Sequence, residues 1–140
     1  MILRQSEIDD ERATALVVCS TCRLSPDARE DGEGRRGGAL LAEALRRERD
    51  TSPEFAQVAI EEMACLFACS RHCTVHLRAP GKVGYVLGDF TPDAHAARAL
   101  LEYAAHHAAS AEGQVPFRDW PQGVKGHFIV RTPPEGYTCP

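Results

Sequence analysis

The chain has 140 residues, 44% of them hydrophobic and 26% charged, which is the size of one domain with a single core. Its 16 basic residues against 20 acidic ones leave a net charge of −4, and this argues against nucleic acid as the main partner, because phosphate binding is driven by clustered positive charge. No apolar run approaches the roughly 18 residues of a membrane span, so no membrane partner is expected; the unusual count is cysteine, 6 residues beside a single Trp.

Residues 1–12 read as a polar lead-in without the basic start and apolar stretch of a secretory signal. A cytoplasmic location is therefore expected, where thiols stay reduced and clustered cysteines point to metal first and redox chemistry second. Residues 13–18, Ala-Thr-Ala-Leu-Val-Val, form an apolar, β-branched run that fits a strand buried on both faces. It ends at Cys19-Ser-Thr-Cys22. Residues 23–38, with Pro26 and four glycines among mixed charges, read as a mobile loop. A helix is predicted over residues 39–49, with arginines near its end to suit the helix dipole, and Thr51-Ser52-Pro53 stops it.

Residues 55–60 read as a second strand, which delivers the chain to Cys65-Leu-Phe-Ala-Cys69-Ser-Arg-His-Cys73. Residues 74–78 and 83–87, joined by Ala-Pro-Gly-Lys, are a hairpin. Thr91 as N-cap with Pro92 at the first helical position starts a second helix that keeps its spacing to Ser110. The remainder is rich in Pro and Gly, and Val115, Phe117, Trp120 and the 128–130 run read as anchors of an irregular tail. The division expected is thus a lead-in over 1–12, a metal-binding domain over 13–110 and a tail packed on it over 111–140.

Two strands bridged by a helix should be parallel with a right-handed crossover, and the hairpin adds antiparallel strands beside them. The class is α/β, a small mixed sheet flanked by helices, in the element order of the thioredoxin fold. Both cysteine-bearing loops then leave the carboxyl edge of the sheet, where open α/β sheets hold ligands. Cys19, Cys22, Cys65 and Cys69 are expected to meet there, and four thiolates from two loops can hold a [2Fe-2S] cluster or a tetrahedral zinc. The Cys-x3-Cys spacing is less usual for a zinc ribbon, and the small residues between ligands leave backbone amides free to point at sulfur.

Val-Val-Cys-Ser-Thr-Cys-Arg, the Cys65-Leu-x2-Cys69 segment and the hairpin with Gly81-Lys82 and Tyr85 resemble a family of short bacterial proteins described as predicted metal-binding. More distantly the chain is similar to the thioredoxin-like [2Fe-2S] ferredoxins and the related cluster-bearing subunit of NADH dehydrogenase. That resemblance implies a small electron carrier with a redox partner protein, a homodimeric assembly, and Cys65 and Cys69 as the second ligand pair. The first pair departs from it, because those ferredoxins separate their first two ligands by a longer stretch than the two residues between Cys19 and Cys22.

Other readings stay open. Cys73 is a fifth candidate ligand or a buried hydrophobe, His72 between Cys69 and Cys73 is a further candidate, and Cys139 has no assigned role. His76 is expected to face solvent, and His106 and His107 to favour the negative end of their helix. The arginines around Arg35 and Arg46 read as a solvated face, with docking of an acidic partner as the alternative. Against the electron carrier stand a zinc-stabilised binding or metal-handling protein, and a dithiol oxidoreductase using Cys19 and Cys22. No Ser/His/Asp set, paired-carboxylate motif or phosphate-binding glycine loop is present, so enzymatic activity stays open and a non-catalytic electron-transfer or metal-binding role is the favoured expectation.

Overall fold

The structure, a computed structural model, describes Leu3 and residues 14–138. Most of the polar lead-in, Ala13 at the start of the expected first strand, and Cys139 therefore lie outside the described residues. β1 (Thr14–Cys19) is buried along its whole length, as its run of apolar and β-branched residues requires of a central strand. On one side it pairs in parallel with β2 (Val58–Met63), from Thr14 opposite Val58 to Cys19 opposite Met63. On the other it pairs antiparallel with β3 (Val75–Arg78), which turns through Gly81, at φ 73°, into β4 (Gly84–Leu87). A fifth strand, β5 (Phe128–Thr132), closes the sheet in the order β2-β1-β3-β4-β5.

α1 (Gly37–Thr51) links β1 to β2, and α2 (Ala94–Ala109) follows β4. Leu41 and Leu45 of α1 and Leu100, Leu101 and Tyr103 of α2 share one core with Leu16, Val18, Ile60, Leu77 and Leu87 of the sheet. Fully burying each such side chain is worth about 1.5–3 kcal/mol against leaving it in water. Among the described residues no helix is long and apolar enough to cross a membrane.

Several boundaries differ from those expected. β2 begins at Val58, because Pro53–Phe55 forms a 3-10 turn that buries Phe55 under Arg98. The cap of α2 is Asp93, whose carboxylate accepts the Ala96 N–H at 2.9 Å, so Thr91 and Pro92 precede the helix rather than start it. The segment after Ala111 carries an added edge strand, β5, as well as two short turns. Trp120 anchors it, donating Nε1–H to the Val115 carbonyl at 2.9 Å and packing on Phe128, while Phe117 and Val130 are exposed.

Two histidines are more deeply placed than their sequence suggests. His107 is fully buried and bonds the Val83 carbonyl through Nε2 at 2.7 Å; burial lowers its pKa and keeps it neutral, so it is no cation for the helix end. His76 is half-buried with its Nε2 unpartnered, and burial lowers its pKa too.

Candidate metal centre

The site grows out of the parallel pairing of β1 and β2. Parallel strands end at the same edge, so the chain beyond Cys19 and the chain beyond Met63 emerge side by side. They are then stitched together. The Ser20 N–H donates to the Met63 carbonyl at 2.9 Å, the Ser20 hydroxyl reaches the same carbonyl at 3.3 Å, and the Thr21 hydroxyl donates to the Ala64 carbonyl. From the opposite side, the Cys19 N–H donates to the Thr74 carbonyl at 3.0 Å.

The loop between Cys22 and α1 is folded back on itself rather than loose. Asp31 accepts the N–H groups of Glu33 and Arg35 at 2.9 Å each, and these two amides hold its carboxyl below the usual range. The chain thereby returns α1 to the first cysteine loop, where the Gly38 N–H donates to the Cys22 carbonyl at 3.2 Å. A Cβ at Gly38 would stand 1.7 Å from the Cys19 carbonyl oxygen, so this approach requires glycine.

Cys19 and Cys22 are both buried and share a hydrogen bond. That bond, with a backbone contribution from Leu66 in the other loop, draws the Cys19 thiol down to about 5 despite the opposing effect of burial. Cys22 moves the other way, because it holds the proton of the pair and is desolvated. Its Sγ also lies 2.8 Å from the Oγ1 of Thr74, a fully buried hydroxyl. In the second loop Cys65 is half-buried and Cys69 exposed, with their sulfurs 3.9 Å apart. The Phe67 N–H donates to Cys65 Sγ at 3.3 Å, from a backbone held at φ 58°.

These four cysteines line one cavity of about 220 Å³. Arg23, Arg29, Arg36 and Arg71 line it with them, and no carboxylate does. Among the described residues, no three His, Cys, Asp or Glu side chains stand together as a site for a single ion. The thiols are two close pairs facing one space.

Cys73 is not in that wall. Its side chain is fully buried in the hydrophobic core at φ 48°, and burial pushes its thiol up to about 12. His72 is likewise committed elsewhere, with Nδ1 on the Phe90 carbonyl at 3.1 Å and Nε2 3.9 Å from Asp89. The sequence reading missed Thr74 and the four arginines. Arg23 and Arg71 lie within two residues of a motif cysteine and could have been noticed there. Arg29 and Arg36 are brought in by the fold of the loop and leave no local signal.

Among curated proteins none matches the chain at a significant level. Among solved structures, a thioredoxin-like [2Fe-2S] ferredoxin from Aquifex aeolicus is similar at a TM-score of 0.51 and 18% identity, over 89% of this chain and 97% of that one. At that identity the likeness speaks to the fold, and the fold is thioredoxin-like: a mixed five-stranded sheet with two helices. A family model described as a protein of unknown function, DUF1636, matches residues 16–134, and the chain therefore belongs to the DUF1636 family.

Proposed function

We propose that the protein is a small cytoplasmic electron carrier that holds one [2Fe-2S] cluster through Cys19, Cys22, Cys65 and Cys69. The observation that carries the reading is the grouping of the thiols. Two thiolates bound to one tetrahedral metal at ~2.3 Å stand ~3.8 Å apart. The Cys65 and Cys69 sulfurs are 3.9 Å apart, and Cys19 and Cys22 form the second close pair. Two pairs across one cavity suit a two-metal group better than a single zinc, which would draw all four sulfurs together. The likeness in fold to a [2Fe-2S] ferredoxin is a second support.

The surroundings also fit such a group. The cavity lies below the roughly 300–1,000 Å³ typical of pockets for organic ligands, which suits a compact inorganic centre. A cluster ligated by four thiolates is net negative in either oxidation state, and the wall supplies four guanidinium groups and no carboxylate. The Phe67 amide and the Thr74 hydroxyl are already directed at ligand sulfurs. When bound, the cluster would supply one-electron redox chemistry. The chain binds and orients it, shields its inner edge with buried Cys19 and Cys22, and leaves its outer edge open at Cys69.

Anaerobic purification followed by iron and acid-labile sulfide analysis tests this. Equal iron and sulfide with a visible charge-transfer spectrum is the expected result. Colourless protein carrying zinc, without sulfide even after reconstitution, would establish the zinc-stabilised alternative instead. Thiol–disulfide exchange has one observation on its side, the proton shared by Cys19 and Cys22. It requires that metal-free, reduced protein reduce insulin disulfides and that Cys22→Ser abolish this.

A further inference from the structure

The outer edge of the cysteine cavity carries four arginines and no carboxylate. Arg35 and Arg46, the arginines most visible in the sequence, are occupied: Arg35 is within 3.5 Å of Asp31, Glu33 and Glu43, and Arg46 is 2.7 Å from Glu62. The four arginines of the cavity are much less neutralised. Arg71 meets Asp89 at 2.6 Å, whereas Arg23 and Arg36 donate only to the carbonyls of Ser25 and Thr21. Arg29 is exposed and makes no ion pair among the described residues. A chain of net charge −4 thus turns a positive face outward where its cysteines open to solvent.

Phe67 stands on the same loop, between Cys65 and Cys69. It is 85% exposed, and its φ of 58° is one that a bulky L residue rarely adopts. The conformation aims its amide at the Cys65 sulfur and throws the ring outward. An exposed aromatic on a loop whose cysteines share a cavity with incompletely neutralised arginines has the composition of an interface anchor.

We propose that this face docks an acidic electron-carrier protein, with Arg29 and Arg36 meeting its carboxylates and Phe67 entering an apolar recess. The proposal rests on the reading of the cavity as an iron–sulfur site. A protein is favoured over an anionic bilayer because the guanidinium groups surround a recess and a single aromatic projects. A bilayer would gain little apolar insertion and would meet the net negative remainder of the chain. The opposite charges would orient the carrier toward the open edge before contact.

The test is a calorimetric titration of the anaerobically reconstituted protein with flavodoxin, an acidic one-electron carrier, and with basic cytochrome c as the contrast. Flavodoxin should bind at low ionic strength, with Kd rising about tenfold by ~0.3 M salt as the charges are screened. Arg29→Glu should weaken it about tenfold, and Phe67→Gly, which permits the same backbone, about fivefold. Cytochrome c should not bind. Equal affinity for both carriers, affinity unchanged in Arg29→Glu, or sedimentation with phosphatidylglycerol vesicles at the same salt overturns the docking face. Iron and sulfide are assayed on the same samples, so the two readings fail separately. Cluster-free protein that still binds flavodoxin in this pattern overturns the electron-carrier reading alone, and loaded protein that ignores flavodoxin overturns the docking face alone.

Discussion

Thr74 brings a fully buried hydroxyl to the Cys22 sulfur, and Cys22 brings its own proton to Cys19. Once a metal binds, Cys22 has no proton to give, and the hydroxyl becomes the donor. A hydrogen bond to a ligand sulfur favours the more negative, reduced state. Thr74→Val is therefore expected to lower the reduction potential by about 60 mV, a tenfold change in a one-electron equilibrium. Thr74→Ser should restore it, and protein-film voltammetry reads both.

In the reduced, metal-free protein the same residues set a pH dependence. The Cys22 hydrogen bond draws Cys19 from 9.0 to about 5, while Cys22 itself is raised. Between these two pH values the folded pair keeps one proton where the unfolded chain keeps two. The stability contribution of the pair therefore grows from about pH 5 to a maximum near 9 and is lost as pH falls through about 5. It declines again above 9, where the unfolded chain gives up both protons and folded Cys22 keeps its own. Alkylation of Cys19 by iodoacetamide should accordingly begin near pH 5, and Cys22→Ala should move its midpoint up toward the ordinary thiol value.

At the scale of elements, the start of α1 and the end of α2 each carry one contact that the fold cannot easily replace. Gly38 lets α1 lie directly on the Cys19 carbonyl, where a methyl group has no room. Gly38→Ala must push the first cysteine loop or the helix aside, at a cost of about 3 kcal/mol. Chemical denaturation should show that loss together with reduced iron binding, whereas alanine at exposed Gly32, where nothing lies within 4 Å, should leave both unchanged. His107 ties α2 to the chain entering β4 through the Val83 carbonyl. Its pKa lies below 6.5, so the unfolded chain takes up the proton first. Stability is complete above 6.5 and declines as pH falls below it. In His107→Gln the acid limb of the stability curve should be flatter, as measured by thermal melts between pH 7 and the folded pKa.

These element contacts also mark what local sequence can convey. The β1 run, the Ala79-Pro80-Gly81-Lys82 turn and the two helices were legible because each rests on a pattern within a few neighbouring residues. The placement of Cys19, Cys22, Cys65 and Cys69 on one cavity followed from topology alone, since parallel strands must end together. What was not legible depends on partners far along the chain. β5 exists because β4 offers it an edge, Cys73 is core because it is fully buried beside the sheet, and Arg29 reaches the cavity because Asp31 and Gly38 fold the loop back.

Seen across the whole molecule, the cysteine site is attached to the core unequally. Cys19 and Cys22 continue a strand whose residues are buried throughout, and α1 and Thr74 brace them from both sides. Cys65 and Cys69 sit on a segment of exposed and half-buried residues that is joined to the rest chiefly through the Ser20 and Thr21 hydrogen bonds at its start. The main hydrophobic cluster includes none of these four thiols, although Cys19 and Cys22 are themselves buried. The protein should therefore differ from small zinc domains that unfold without metal, because its burial of Leu16, Leu41, Leu101 and their neighbours does not depend on ligation. If the four cysteines hold a cluster as proposed, its removal should release one loop and leave the sheet intact. Amide hydrogen exchange measures this directly: on cluster removal, residues 65–71 should lose protection by at least about tenfold, equivalent to ~1.4 kcal/mol of local stability, while β1 and β3 keep theirs. Loss of protection spreading through β1 would mean instead that the cluster is part of the folding nucleus. An unchanged loop would mean that Cys65 and Cys69 do not hold it.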